Sequence, residues 1–143
     1  MFLPNAGIDP ATLQAFKSQI AFQLPDDYRA FLRDSNGGSF INEYPTLVAE
    51  TIGAIYCNSL FGLGLNSSLD LAFWWKELDG ELLPQSLVIG NDPGGGLFLL
   101  SSALEDNGVF YYDHSYFFRS STDHLNAYPI CNNFTTFLGL LKL

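Results

Sequence analysis

Two acid–imidazole pairs, Asp113-His114 and Asp123-His124, stand ten residues apart and are by type the residues best suited to ligate a metal or relay a proton. A metal site needs a third ligand at a diagnostic spacing, and none is present. The two cysteines, Cys57 and Cys131, lie far apart and form no CxxC or similar pattern. For nucleophilic catalysis, Ser115 or either cysteine pairs with a histidine only on paper, because no Gly-x-Ser-x-Gly elbow accompanies them. Asp26 and Asp27 are adjacent at a helix start, where their carboxylates diverge. The run Gly62-Leu63-Gly64-Leu65-Asn66-Ser67 has the setting of a dinucleotide-binding turn. It fails on type, since Ser67 occupies the third glycine position and no second βα unit follows. The run Gly90 to Gly96 lacks the Lys-Ser/Thr of a phosphate loop, and Asp92 repels a phosphate. The chemistry expected is therefore none: no catalytic residue, no cofactor, no metal.

Strand, turn and helix signals account for most of these residues instead. Ile89-Gly90-Asn91-Asp92-Pro93-Gly94-Gly95-Gly96 separates the apolar runs Ser86–Ile89 and Leu97–Leu100, which predicts a central hairpin, strand 86–90 and strand 97–102. Asp9-Pro10 starts a helix on whose face Leu13, Phe16 and Ile20 recur. A second opens at Leu24-Pro25-Asp26-Asp27, with Leu24, Tyr28, Phe31 and Leu32 on one face, and stops at Asn36-Gly37-Gly38. From Ser39 to Phe61 the pattern is β, with runs at 40–44, 47–50 and 52–57, predicting two or three short strands. Ser67 to Asp70 leads into a helix over Leu71–Leu78, ended by Asp79-Gly80. Trp74 and Trp75 point about 100° apart on it, so one is expected to pack and the other to lie at the rim as an interface anchor. Glu105-Asp106-Asn107-Gly108 is a second turn feeding a strand at 109–113, and 114–129 reads as loop. Phe134, Phe137, Leu138 and Leu141, behind an Asn133 cap, predict a closing amphipathic helix. Helices at both ends with turn-linked strands between them give an α+β class, mostly antiparallel.

At 143 residues, with 48% hydrophobic residues, the chain is expected to be one domain, 1–143, able to bury a core without disulfide or metal staples. Six Lys+Arg against 15 Asp+Glu leave a net charge of −9. Such a surface repels nucleic acid and anionic lipid, and attracts a basic partner over roughly 8–10 Å at physiological salt. The cysteines read as reduced thiols of a cytosolic protein, with a single Cys57–Cys131 disulfide left open. No apolar run approaches the roughly 18–20 residues of a membrane span, and residues 1–7 lack the pattern of a secretory signal. A cytoplasmic protein is expected.

The helix motif Leu24-Pro25-Asp26-Asp27-Tyr28-Arg29-Ala30-Phe31-Leu32, the stop Asn36-Gly37-Gly38, and the turn Ile89 to Gly96 combine "LPxDYxxFL…NGG" with a later "IGxDxGG". With the strand Val109–Asp113 and the Phe134–Leu138 helix, this ordered set resembles the SUKH superfamily, which includes fungal cell-wall-assembly regulators. The stretches from Tyr44 to Gln85 and from His114 to Ile130 contribute nothing to the likeness. The resemblance implies a central, largely antiparallel sheet flanked by N-terminal, middle and C-terminal helices. It implies a non-enzymatic role, for many bacterial members look like immunity proteins that bind and neutralise a toxin, often a nuclease, while others resemble regulators or scaffolds. The motif positions Leu24, Pro25, Tyr28, Phe31, Leu32, Asn36, Gly37, Gly38, Ile89, Gly90, Gly94, Gly95 and Gly96 then read as architecture. The partner expected is a protein, a basic toxin domain for an immunity protein and an endogenous partner for a regulator, with no nucleic acid or membrane. Candidate contacts are the acids Glu43, Glu50, Asp70, Asp92, Glu105, Asp106 and Asp113, Asp92 foremost as a charge on a defined turn, together with Trp74 and Trp75.

Overall fold

The computed structural model describes residues 1–20, 22–82, 85–102, 107–113 and 126–143. A sheet of seven strands runs through the molecule: β1 (Phe2–Pro4), β2 (Gly38–Phe40), β5 (Ser59–Leu60), β6 (Ser86–Asn91), β7 (Leu97–Ser101), β8 (Gly108–Tyr112) and β9 (Ala127–Cys131), in that spatial order and antiparallel throughout. The β6–β7 pair sits at its centre, on either side of the glycine turn. Both strands are buried nearly end to end, which is why they read as continuous apolar runs rather than alternating ones. A separate hairpin, β3 (Thr46–Ala49) with β4 (Gly53–Tyr56), lies alongside β9.

Four helices flank the sheet: α1 (Pro10–Ile20), α2 (Asp26–Ser35), α3 (Leu71–Glu77) and α4 (Phe134–Leu140). Leu13, Phe16 and Ile20 of α1 are all buried, as their spacing requires. Tyr28 and Leu32 of α2 are buried and Phe31 is half-buried. Phe134 of α4 meets the rings of Tyr28 and Phe31 at 4.9 and 5.2 Å, both edge to face, while Phe137 reaches Phe98 of the sheet at 5.5 Å. Asp27 fastens the same junction, its Oδ2 accepting from the backbone N–H of Thr135 at 3.0 Å and from the Thr135 hydroxyl at 2.8 Å. Asn133 caps α4 by accepting from Thr136 N–H.

The end of α2 is the most constrained point of the fold. Asn36 is left-handed (φ 51°) and buried, and closes the helix by donating its N–H to Leu32 O at 2.9 Å. Its side chain grips a loop remote in sequence, donating Nδ2 to Leu63 O at 3.0 Å and accepting at Oδ1 from Leu63 N–H at 2.8 Å. Its own carbonyl accepts from Asn5 Nδ2. Gly37 follows at φ 75°, pressed so closely on the Leu60 and Phe61 carbonyls that a Cβ has no room.

The α+β class and the ordered elements agree with expectation. Three local readings differ. Residues 39–61 hold four strands rather than two or three, because 41–45 is not strand, Asn42 taking φ 71°, and because β5 is only two residues long. The stretch 114–129 was expected as loop, yet Ala127 to Pro129 begin β9; Pro129 argues against a central strand, but β9 is an edge, where proline is tolerated. Likewise β1, not foreseen, is the opposite edge and ends in Pro4. Cys57 is buried and Cys131 half-buried, and both are free thiols.

Asn36→Ala removes both bonds to Leu63 and leaves in the left-handed conformation a residue that tolerates it less well than asparagine, so it is expected to lower unfolding free energy by about 2–4 kcal/mol. Urea denaturation checks this; a loss under about 0.5 kcal/mol contradicts the role given to Asn36.

Candidate functional site

The glycine turn is built from within. Asp92 Oδ1 accepts from the backbone N–H groups of Gly94 (2.7 Å) and Gly96 (2.9 Å), and Oδ2 accepts from the Tyr111 hydroxyl. Gly95 takes φ 96°, and a side chain at Gly96 would run into the Tyr111 ring. The preceding Asn91 accepts at Oδ1 from the Ser59 hydroxyl at 2.6 Å, fixing β5 to β6. Asp92 is thus held on three internal donors. Burial, the bond to Asp92 and the charges of Asp92 and Asp113 all push the Tyr111 phenol well above its ordinary pKa, burial most of all.

The other acids separate into two groups. Asp70 caps α3, accepting at Oδ1 from Ala72 and Phe73 N–H, while its Oδ2 accepts from Leu65 N–H at 3.0 Å. A carboxylate therefore occupies the helix start at which a dinucleotide-binding turn would hold phosphate. Asp113 is buried, with 1% exposure, and presents no charge at the surface. Glu43 and Glu50, in contrast, are exposed on either side of β3 in the sequence. Glu105, Asp106, Ser115, His114 and the Asp123-His124 pair lie outside the described residues. Among the described residues no group of three or more His, Cys, Asp or Glu is placed to hold a metal ion.

Both tryptophans pack, and both are half-buried. Trp74 lies flat on Phe61 (5.9 Å, 4° between planes) and donates Nε1 to Ser68 O at 3.0 Å; Trp75 leans on Phe22 at 5.9 Å. The outward aromatic of α3 is their neighbour Phe73.

Two surface features are absent from the candidates drawn from sequence. Lys17, Arg29 and Arg33 gather with Leu13 and Asp26 around a small cleft between α1 and α2, where Arg29 pairs with Asp26. From Asp34 to Trp75 the sequence contains no Lys, Arg or His, so positive charge is withheld from that stretch. The second feature is the outer face of the β3–β4 hairpin, where Val48 and Tyr56 are 67% and 48% exposed. Its signal was the alternation Tyr44, Thr46, Val48, which is apolar-in but not polar-out.

The polar groups of the helix stop and the glycine turn thus hold this fold together, over nearly the whole length of the chain. The model of the SMI1 / KNR4 family (SUKH-1) matches residues 7–139. The chain belongs to the SMI1 / KNR4 family. That match spans α1 to α4 and agrees with the SUKH resemblance of the two motifs. No curated protein sequence matches the chain. Within this SUKH-1 domain Leu24, Tyr28, Leu32 and Ile89 are core, Pro25 precedes α2, and Asn36 to Gly38 turn from α2 into β2. Gly90 lies against β5, and Gly94 to Gly96 complete the turn that Asp92 ties to β8. Among the described residues no helix is long and apolar enough to cross a membrane.

Because the folded phenols of Tyr28, Tyr111 and Tyr112 are raised, they resist ionisation that the unfolded chain undergoes near pH 10. The buried Cys57 thiol is likewise raised from its ordinary value near 9, so stability is expected to be intact below about pH 9 and to fall as pH rises further. Tyr111→Phe loses the bond to Asp92, about 1–2 kcal/mol at pH 7, and its stability declines less steeply above pH 10 than that of the wild type. Urea titrations from pH 7 to about 11 check this, and parallel declines contradict it.

Proposed function

We propose that this SUKH-1 protein is a non-enzymatic, cytoplasmic binding protein of the immunity type, which neutralises a cognate toxin by covering its active site. One observation carries the reading: the motif side chains Asn36 and Asp92 are engaged inside the fold, while exposed acids lie on a stretch without a single cation. An arrangement of this kind suits recognition by surface rather than reaction in a pocket. A net charge of −9 complements a toxin whose groove is basic because its substrate is a nucleic acid, and it accelerates their encounter. Neutralisation then needs no chemistry, since a bound protein excludes the substrate.

The family's fungal cell-wall-assembly regulators favour a second reading, an intracellular regulator or scaffold with an endogenous partner. The two diverge on one experiment. The toxin-like domain encoded beside this gene is co-expressed with the chain; restored growth and co-purification are expected for the immunity protein. A neighbour without a toxin-like domain, or growth that is not rescued, overturns it, and recovery of one endogenous basic partner instead selects the regulator. Affinity for a basic partner is expected to fall about tenfold or more between roughly 50 and 300 mM salt.

A further inference from the structure

In most half-buried hairpins the face turned to water is polar, because only the inward set has apolar surface to bury. The β3–β4 hairpin departs from this. Its register pairs Leu47 with Ile55 and Ala49 with Gly53, and Leu47, Ala49 and Ile55 are buried in the core. The alternate positions pair Thr46 with Tyr56 and Val48 with Ala54, and all four are exposed. The pairing extends one residue further, Cys57 N–H donating to Pro45 O at 3.2 Å, and Tyr44, exposed, directly precedes it. Val48 and Tyr56 are diagonal neighbours on this face, within reach of one another. Val48 and Tyr56 thereby present a strip of apolar surface on the paired strands, with exposed Tyr44 just before them in the chain.

Charge decides what covers it. Glu43 precedes the strip and Glu50 stands at the hairpin turn, both exposed, so each end of the strip carries an acid. The nearest cations in sequence are Arg33 and Lys76, and Arg33 belongs to the α1–α2 cluster. A second acidic copy of this chain would set Glu50 against a like charge, while at the other end Glu43 shares a cleft with Met1 and Lys142. A partner that presents an apolar patch bracketed by Lys or Arg meets the strip and both acids together.

We propose that the outer face of the β3–β4 hairpin is the docking surface for a basic protein partner, with Tyr44, Val48 and Tyr56 as anchors and Glu43 and Glu50 as its charged ends. This assignment rests on the immunity reading and deepens it by naming the surface that meets the toxin. Aromatic anchors with few rotatable bonds carry affinity in such interfaces, and rim charges set the association rate.

The probe is the purified toxin domain encoded beside this gene, measured by surface plasmon resonance against the full chain and two variants. Val48→Ser with Tyr56→Ser is expected to weaken binding about 30-fold or more, mainly through faster dissociation. Glu43→Lys with Glu50→Lys is expected to slow association about tenfold at low salt and to flatten its salt dependence. All four side chains are exposed, so melting curves of both variants should match the wild type. Hydrogen exchange of the unmodified complex gives a readout free of any variant, and protection is expected over residues 44–56. Wild-type affinity in both variants, or protection confined to α3 or to the α1–α2 face, overturns the assignment and leaves the immunity reading standing. Failure of the wild-type chain to bind the toxin at all overturns both.

Discussion

Three segments of this fold that lie far apart in sequence meet at Asn36. The residue closes α2, donates to one carbonyl and accepts from one N–H of the Leu63 loop, and receives Asn5 on its own carbonyl. Three segments are therefore held by one buried residue, away from competing water. Only a residue that tolerates left-handed backbone and offers both a donor and an acceptor satisfies the position, which restricts it to asparagine. The glycine that follows then allows β2 to leave the helix directly beneath the carbonyls of Leu60 and Phe61. Half of the sheet takes its position from this junction.

The other half is positioned by a second polar tie with the same logic. Asp92 closes the turn between β6 and β7 and reaches across to Tyr111 on β8, while Asn91 reaches back to Ser59 on β5. Four strands are registered by two adjacent side chains. Asp27 performs the equivalent service between the helices, joining α2 to the start of α4 across most of the chain. These residues have the types that suggest chemistry and the bonding of structural fasteners.

How much of this was legible in the sequence follows from the range of the forces involved. Leu13, Phe16 and Ile20 declare α1 by spacing alone, and Pro25 with Asn36-Gly37-Gly38 declares both ends of α2, because capping is local. The central hairpin was legible for the same reason. Asp92 was read correctly as a residue on a defined turn, but its hydrogen bond to Tyr111 depends on a strand pairing that composition does not reveal. Asp113 was offered as a surface charge and is buried, since strand periodicity gives two faces without saying whether both are covered. The edge strands β1 and β9 escaped notice because their prolines speak against strand, and that objection holds only for strands with neighbours on both sides. The exposed strip on β3–β4 was hidden because apolar residues in a strand read as core until the pairing shows which way each one faces.

Those same edge prolines constrain how this domain meets other proteins. A sheet with free margins can recruit a partner by adding a strand, through main-chain hydrogen bonds that are largely indifferent to sequence. Here Pro4 at one margin and Pro129 at the other each remove an N–H from the row such an addition would use. Backbone-led pairing is discouraged at both sides. The consequence is one of access: a strand added at either margin would meet a gap in its row of main-chain donors, at Pro4 on one side and at Pro129 on the other.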